Sequence, residues 1–402
     1  MVLTCLTTVK ITQKPNKDFP NRSKVYTMPF VTEYHSESSW SNLTAKGKII
    51  FPKNVWATDE GGNKVNLGGG IGGGSNNLPI IAPYGNTSPI LMRGDGIEIE
   101  AGYGYFDSNG NPKVVKNKIP CNWVTKVYNK LPIEVEFEDN MYLLKQTQAP
   151  NKNWGSLTME QIIAELIPLV NNQFGTNLTY DNSIGASTNL GNFRTQNETI
   201  AEVLNRLQKD YKIESFFIND TLYSGLITYY PNNTNNHQFV FEKNIIEDKM
   251  NYTRLDDIKL GIKAYSVNVS GTQTRTKDGR YKTQKKRMEA FVGTSNANDG
   301  QVRTMFFWDV KSEDDLKQKA TDALNRIYYE GYRGTFTTFG LPFVKQGDTV
   351  EISSTRLPER KGKYFVKSVH YSGGFNIGLR QDIELDFRVD GILTDAQRQK
   401  GI

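Results

Sequence analysis

"RGDGIEIE" (Arg93–Glu100) and "QGDTVEIS" (Gln346–Ser353) decide the reading of this chain. Each sets a Gly-Asp pair directly before an alternating apolar run. Glycine tolerates positive φ, and aspartate can bond the backbone two residues on, so Gly94-Asp95 and Gly347-Asp348 read as tight structural turns. The apolar residues that follow alternate, as a strand with one buried face requires. Each copy also has a later return strand: Trp123-Val124-Thr125-Lys126-Val127 in one, Phe365-Val366-Lys367-Ser368-Val369 in the other. The pattern predicts one β-unit built twice. A metal or catalytic role for Asp95 and Asp348 is the weaker reading beside that of a turn.

β-character extends around both copies. "KGKIIFPKNVW" (46–56), "CNWVTKVYN" (121–129) and "PIEVEFEDNMYLL" (132–144) read as strands in the first half, and Asn109-Gly110 marks a hairpin. "QFVFEKNII" (238–246) and "DIKLGIKAYSVNV" (257–269) restart β-structure in the second half. Helical periodicity lies between and after. Thr158 and Gln161 form a capping box before Ile162, Ile163, Leu166, Leu169 and Val170, with Pro168 expected to kink or shorten that helix. Thr199 and Glu202 open a second helix with Ile200, Val203, Leu204, Leu207 and Tyr211 on one face. "KIESFFINDTLYSGLI" (212–227) follows as two strands about Asn219-Asp220. A last helix starts at Ser312 with Asp315 closing its first turn.

The domain plan is therefore an N-terminal arm (1–23), a first β-barrel (24–150), a small α/β unit (151–235), a second β-barrel with one helix (236–390) and a loose tail (391–402). The fold class is mainly β with a small α/β insert. The run "GGNKVNLGGGIGGGSNNLP" (61–79) interrupts the first barrel. No helix pattern follows it, so it reads as a mobile loop rather than a phosphate cradle.

The 402 residues carry 49 Lys and Arg against 43 Asp and Glu, a net +6 that permits acidic partners without demanding them. Two cysteines, Cys5 and Cys121, provide no disulfide framework. No signal-peptide pattern and no run long enough to span a bilayer is apparent. Three scattered histidines, no H-E-x-x-H and no G-x-S-x-G give no metal, cofactor or nucleophile pattern, so the chain is expected not to be an enzyme. Glu134, Glu136 and Glu138 alternate along one strand, which reads as a solvated face rather than a glycosidase pair. Arg93-Gly94-Asp95 spells an adhesion tripeptide inside a turn. Arg275, Lys277, Arg280, Lys282, Lys285, Lys286 and Arg287 crowd one stretch opposed only by Asp278. That stretch is a solvated hairpin or a loop that touches DNA phosphate or an acidic protein.

The order of barrel, α/β insert and second barrel resembles the hub proteins of phage tails and related injection machines. These include the late control protein D family and the hub part of type VI secretion spikes. The likeness rests on "LKQKATDALNRIYYEGYRGTFTTFG" (316–340), "LPFVKQGDTVEI" (341–352), "LPERKGKYFVKSVHYSGG" (357–374), "FVFEKNIIEDKMNYTRLDDIKLGIKAYS" (239–266) and the α/β run "TIAEVLNRLQKDYKIESFFINDTLYSGL" (199–226). It covers residues 90–390. The resemblance implies a non-catalytic homotrimer whose paired barrels form a pseudo-sixfold ring in the virion, assembled in the host cytoplasm. Its implied partners are the tail tube protein, a spike or tail-tip protein and neighbouring baseplate or distal tail proteins. DNA or a tape measure protein would pass through the channel. The competing reading is a β-rich module that binds glycan or receptor.

Overall fold

The computed structural model describes residues 4–390, apart from 53–55, 67–88, 129, 131, 156, 184–189, 191–192, 212, 226–234, 255–259, 267–272, 276–280, 284–287, 294–300, 308–309, 311 and 376–377. Most of the Gly-rich stretch and the tail after 390 thus lie outside the described residues.

The two halves repeat one strand plan. In the first, Glu33–Ser39 pairs Lys46–Phe51, which pairs Ile133–Glu138, which pairs Trp123–Tyr128. In the second, Ile245–Thr253 pairs Gly331–Phe339, which pairs Arg380–Arg388, which pairs Gly362–Gly374. The strand after each Gly-Asp, Gly96–Phe106 or Thr349–Ser353, then meets the start of its return strand. All of these pairings are antiparallel.

The expected pair of barrels is corrected here. Among the described residues no closed barrel forms. Both halves instead join one open 16-stranded sheet. The join is antiparallel, Ser368–Gly374 against Glu33–Ser39. One apolar core runs under both halves, from Val9, Ile11 and Phe137 to Phe336, Tyr364 and Ile383. A period-2 pattern identifies strands and their buried faces but not whether a sheet closes. The N-terminal arm contains a strand, Thr4–Thr12, which lies between Val25–Met28 and Gly96–Phe106.

The α/β unit has its own core. Helices Met159–Phe174 and Ile200–Tyr211 carry the expected capping boxes, Thr158 with Gln161 and Thr199 with Glu202. They pack with Glu214–Ile218 and Thr221–Gly225, a hairpin about Asn219 at φ 54°. Pro168 does not end its helix, which continues to Phe174 and stops at left-handed Gly175. Pro168 and Ala164 both lie on the exposed face, so the carbonyl that loses its donor faces water. The buried face also differs from expectation: Ile167 is buried, whereas Leu169 is exposed.

Residues 132–144 are not one strand. Ile133–Glu138 is followed by a short helix, Met141–Gln146. Asp139 sets the break, since its Oδ1 accepts from the Met141 N–H (3.0 Å) and its carbonyl accepts from the Tyr142 N–H (3.1 Å). Met141, Leu143 and Leu144 then enter the core of the α/β unit. A third core lies under the helix Glu313–Ile327, capped by Ser312. It covers a separate small sheet of Glu289–Gly293, Leu260–Ser266 and Gln301–Phe307.

Candidate functional site

The two Gly-Asp turns share their geometry. Gly94 has φ 91° and Gly347 has φ 82°. The Gly94 N–H donates to the Val124 carbonyl (2.8 Å), and the Val124 N–H donates to the Asp95 carbonyl (2.9 Å). Gly347, Val366 and Asp348 repeat both bonds at 3.0 and 2.9 Å. Each aspartate Oδ2 accepts from the backbone N–H three residues back, Met92 at 2.7 Å and Lys345 at 2.9 Å, rather than two residues on. The side chain therefore tightens the approach to the turn, and glycine lets the chain reverse there.

The turns differ in the side chain that meets the aspartate. Arg22 grips Asp95 through both guanidinium Nη atoms, at 2.6 and 2.7 Å, with both side chains buried. His237 Nε2 lies 3.0 Å from Asp348 Oδ2. Asp95 has no exposed surface, so the Arg93-Gly94-Asp95 tripeptide presents no carboxylate to a receptor. Neither partner was visible in the sequence, because Arg22 stands 73 residues from Asp95 and His237 stands 111 from Asp348.

The seam between the halves is the more informative feature. Its register sets Ser368 opposite Ser39, Val369 opposite Ser38 and His370 opposite Glu37. The His35 and His370 rings stack across it at 5.5 Å, each beside a carboxylate, Glu33 and Asp382. Tyr103 Oη donates to the Leu379 carbonyl (3.1 Å) and accepts from the Gly340 N–H (3.1 Å), which ties the first half to two loops of the second.

Gln346, just ahead of the second turn, connects all three parts of the chain. Ser38 Oγ of the first half donates to its Oε1 (2.8 Å), while its Nε2 donates to the Phe217 carbonyl of the α/β unit (3.1 Å). Asn140 fixes the same unit from the other side. Its Nδ2 donates to the Asn219 carbonyl (3.1 Å) and to Asp220 Oδ1 (2.9 Å), and its Oδ1 accepts from Trp123 Nε1 (2.9 Å). A cavity of about 230 Å³ remains at this junction, lined in part by Cys121, Asp139, Asp220 and Lys345. Burial pushes the Asp139 carboxyl up to about 7, against the pull of the Ala45 and Met141 N–H donors. Those donors occupy one oxygen each, so Asp139 braces the end of its strand against the Ala45 and Met141 backbone. Burial likewise raises the Cys121 thiol to about 12, an inert state for a sulfur nucleophile. Cys5 and Cys121 are not bonded to each other.

The alternating glutamates are held in pairs rather than merely solvated. Glu134 meets Lys130 and Lys48, which lower its carboxyl; Glu136 accepts from Tyr128 Oη (2.6 Å); Glu138 meets Lys145 (2.8 Å). Among the described residues no group of three or more His, Cys, Asp or Glu could hold a metal ion. In the basic stretch the backbone forms a two-stranded ribbon, Gln273–Arg275 against Tyr281–Thr283, which includes Arg275 and Lys282. Lys277, Arg280, Lys285, Lys286 and Arg287 lie outside the described residues.

No family model matches this chain, and no curated protein does. Solved structures do. The tail protein from Neisseria meningitidis MC58 is 12% identical and superposes with a TM-score of 0.53, covering 96% of this chain and 97% of that one. The 43 kDa tail protein of prophage MuSo2 from Shewanella oneidensis is also 12% identical, with a TM-score of 0.52 over 94% of this chain and 98% of that one. At such identities the likeness is one of fold, and it extends over nearly the whole of each chain.

Proposed function

We propose that this chain is a structural, non-catalytic hub subunit of a phage tail tip or baseplate, or of a related injection apparatus, and that three copies form a closed ring. The observation that carries the reading is the seam. Two halves with one strand plan are already joined edge to edge, which is how one unit is repeated around an axis. The near full-length likeness to two tail proteins supports it. Three chains with two halves each would present six similar units to a sixfold tail tube and a threefold face to a spike or tip protein. In this arrangement the α/β unit lies on the outer side of the ring and leaves the channel open to DNA or a tape measure protein.

The basic ribbon around 273–287 serves in this scheme as a contact to a neighbouring component or to nucleic acid, not as part of the ring. Replacing Arg275, Lys277, Arg280, Lys282, Lys285, Lys286 and Arg287 by serine is expected to leave the trimer intact in sedimentation. Its salt-dependent retention on an anionic matrix should fall sharply. A variant that sediments as a monomer would place the ribbon in the ring interface and reverse this assignment. A wild-type chain that binds glycan as a monomer would favour the rival reading of a receptor-binding module.

A further inference from the structure

Asn109-Gly110, at the tip of the hairpin between Gly96–Phe106 and Pro112–Ile119, is the only Asn-Gly step in the chain. Both residues are exposed. Gly110 has φ 79°, and a Cβ built on it meets nothing within 4 Å, so neither a side chain of its own nor a neighbour shields its nitrogen. Asp107 holds this tip together. Its Oδ1 accepts from the N–H groups of Asn109 and Asn111, both at 2.9 Å, and its carbonyl accepts from the Gly110 N–H at 3.0 Å. The Asn111 N–H, and after it that of Asn109, holds the Asp107 carboxyl below the usual carboxylate range, so it remains an ionised acceptor at neutral pH.

We infer that Asn109 is a site of spontaneous deamidation and that Asp107 sets its rate. In the reaction the Gly110 nitrogen loses its proton and attacks Asn109 Cγ; an N–C bond forms, and the side-chain amide leaves as ammonia. Water then opens the cyclic imide at either carbonyl, which gives aspartate or isoaspartate with no change of oxidation state. Before it can attack, the Gly110 nitrogen must leave the Asp107 carbonyl. The carboxylate that fixes Asn109 and Asn111 on either side opposes that movement. Asp95-Gly96 could close the same imide by losing water, but Asp95 has no exposed surface and Arg22 grips both of its oxygens. Its side chain cannot turn onto the Gly96 nitrogen.

The product changes the hairpin. A new carboxylate stands two residues from Asp107, next to a turn that also carries the exposed Phe106. Isoaspartate also lengthens the main chain within the turn. Among the described residues Pro112–Ile119 pairs only with Gly96–Phe106, so no second neighbour holds that strand when its turn is altered. The modification is one-way and accumulates with the age of the molecule.

Peptide mapping by mass spectrometry tests this on the full chain stored in mildly alkaline buffer, with the same chain in urea as the unstructured reference. The expected result is conversion at Asn109 in the folded chain, slower than in urea. Asp107→Ala removes the side-chain acceptor. Folded, it should convert about fivefold faster than the wild type, the factor for roughly one net hydrogen bond, and in urea at the wild-type rate. Asp107→Ser keeps a weaker acceptor and should fall between, and it carries the comparison if the alanine variant does not fold. A folded wild-type chain that keeps its amide while the chain in urea loses it would overturn the site. Equal rates for the folded wild type and both variants would overturn the role of Asp107.

Discussion

Replacing Arg22 by methionine is expected to destabilise the protein by about 3–5 kcal/mol, the range for removing one partner of a buried ion pair. The arginine donates to both oxygens of a carboxylate that has no solvent exposure, at 2.6 and 2.7 Å. It also donates to the carbonyls of Lys14 (3.1 Å), Pro89 (3.1 Å) and Ile90 (3.2 Å), so it ties the segment before the turn to the residues just after the first strand. After the change Asp95 keeps only the N–H groups of Lys14 and Met92. The repeated turn supplies the comparison. Asp348 has a single histidine partner and a side chain 8% exposed, so His237→Gln should cost only about 1 kcal/mol, the scale of one net hydrogen bond. Urea unfolding of both variants measures the difference. Equal losses would show that the guanidinium pair contributes no more than the histidine contact. The double variant Arg22→Met, Asp95→Asn should recover part of the loss, because the uncompensated charge is then gone.

The second large effect is expected at the seam. Gly374 has φ 153° and closes the register opposite Glu33. A Cβ there would sit 2.3 Å from the Thr32 carbonyl oxygen and 2.8 Å from Glu33 Cα. Both are backbone atoms, so no side-chain rotation relieves the overlap. Gly374→Ala should therefore cost on the order of 3 kcal/mol through overpacking and strain. Gly110 is the control. It also has positive φ, 79°, but a Cβ there meets nothing within 4 Å, so Gly110→Ala carries only the roughly 1–2 kcal/mol of left-handed strain. If thermal unfolding finds Gly374→Ala no worse than Gly110→Ala, the two halves are not held at this end as the seam requires.

The parts of the fold that were legible in the sequence are those set by neighbours in the chain. Gly94-Asp95 and Gly347-Asp348 specify their turns locally, and their shared context exposed the repeat. Thr158 with Gln161, Thr199 with Glu202 and Ser312 with Asp315 marked three helix starts for the same reason, since a cap lies within one turn of the groups it satisfies. The helix Met141–Gln146 was hidden because Met141, Tyr142, Leu143 and Leu144 continue the apolar run of the preceding strand. Only Asp139, whose side chain can bond the N–H two residues on, would have signalled the change. Leu169 and Ile167 exchanged places because periodicity fixes a helical face only to within one residue's rotation.

The seam itself was not legible. A strand pattern at Glu33–Ser39 says which face is buried but not which strand is its neighbour, and here the neighbour lies at the opposite end of the chain. Two complete barrels were the natural extrapolation from two similar halves. An open sheet arises because each half lends an edge to the other instead of closing on itself. The candidate site shares this character. Arg22 with Asp95, Ser38 with Gln346 and Asn140 with Asp220 are long-range pairs, and in each pair only the second residue falls in a stretch that the sequence marks as a turn or its flank.

Two halves of one strand plan, joined edge to edge, are the physical core of the ring proposal. The measurement that tests it most directly is the mass of the unmodified protein in solution, followed by electron microscopy of the same sample. The account predicts a species three times the 45.5 kDa chain that appears as a closed ring with six similar units around a channel. A sample that remains monomeric over the concentration range, or that forms twofold dimers without a channel, would contradict it.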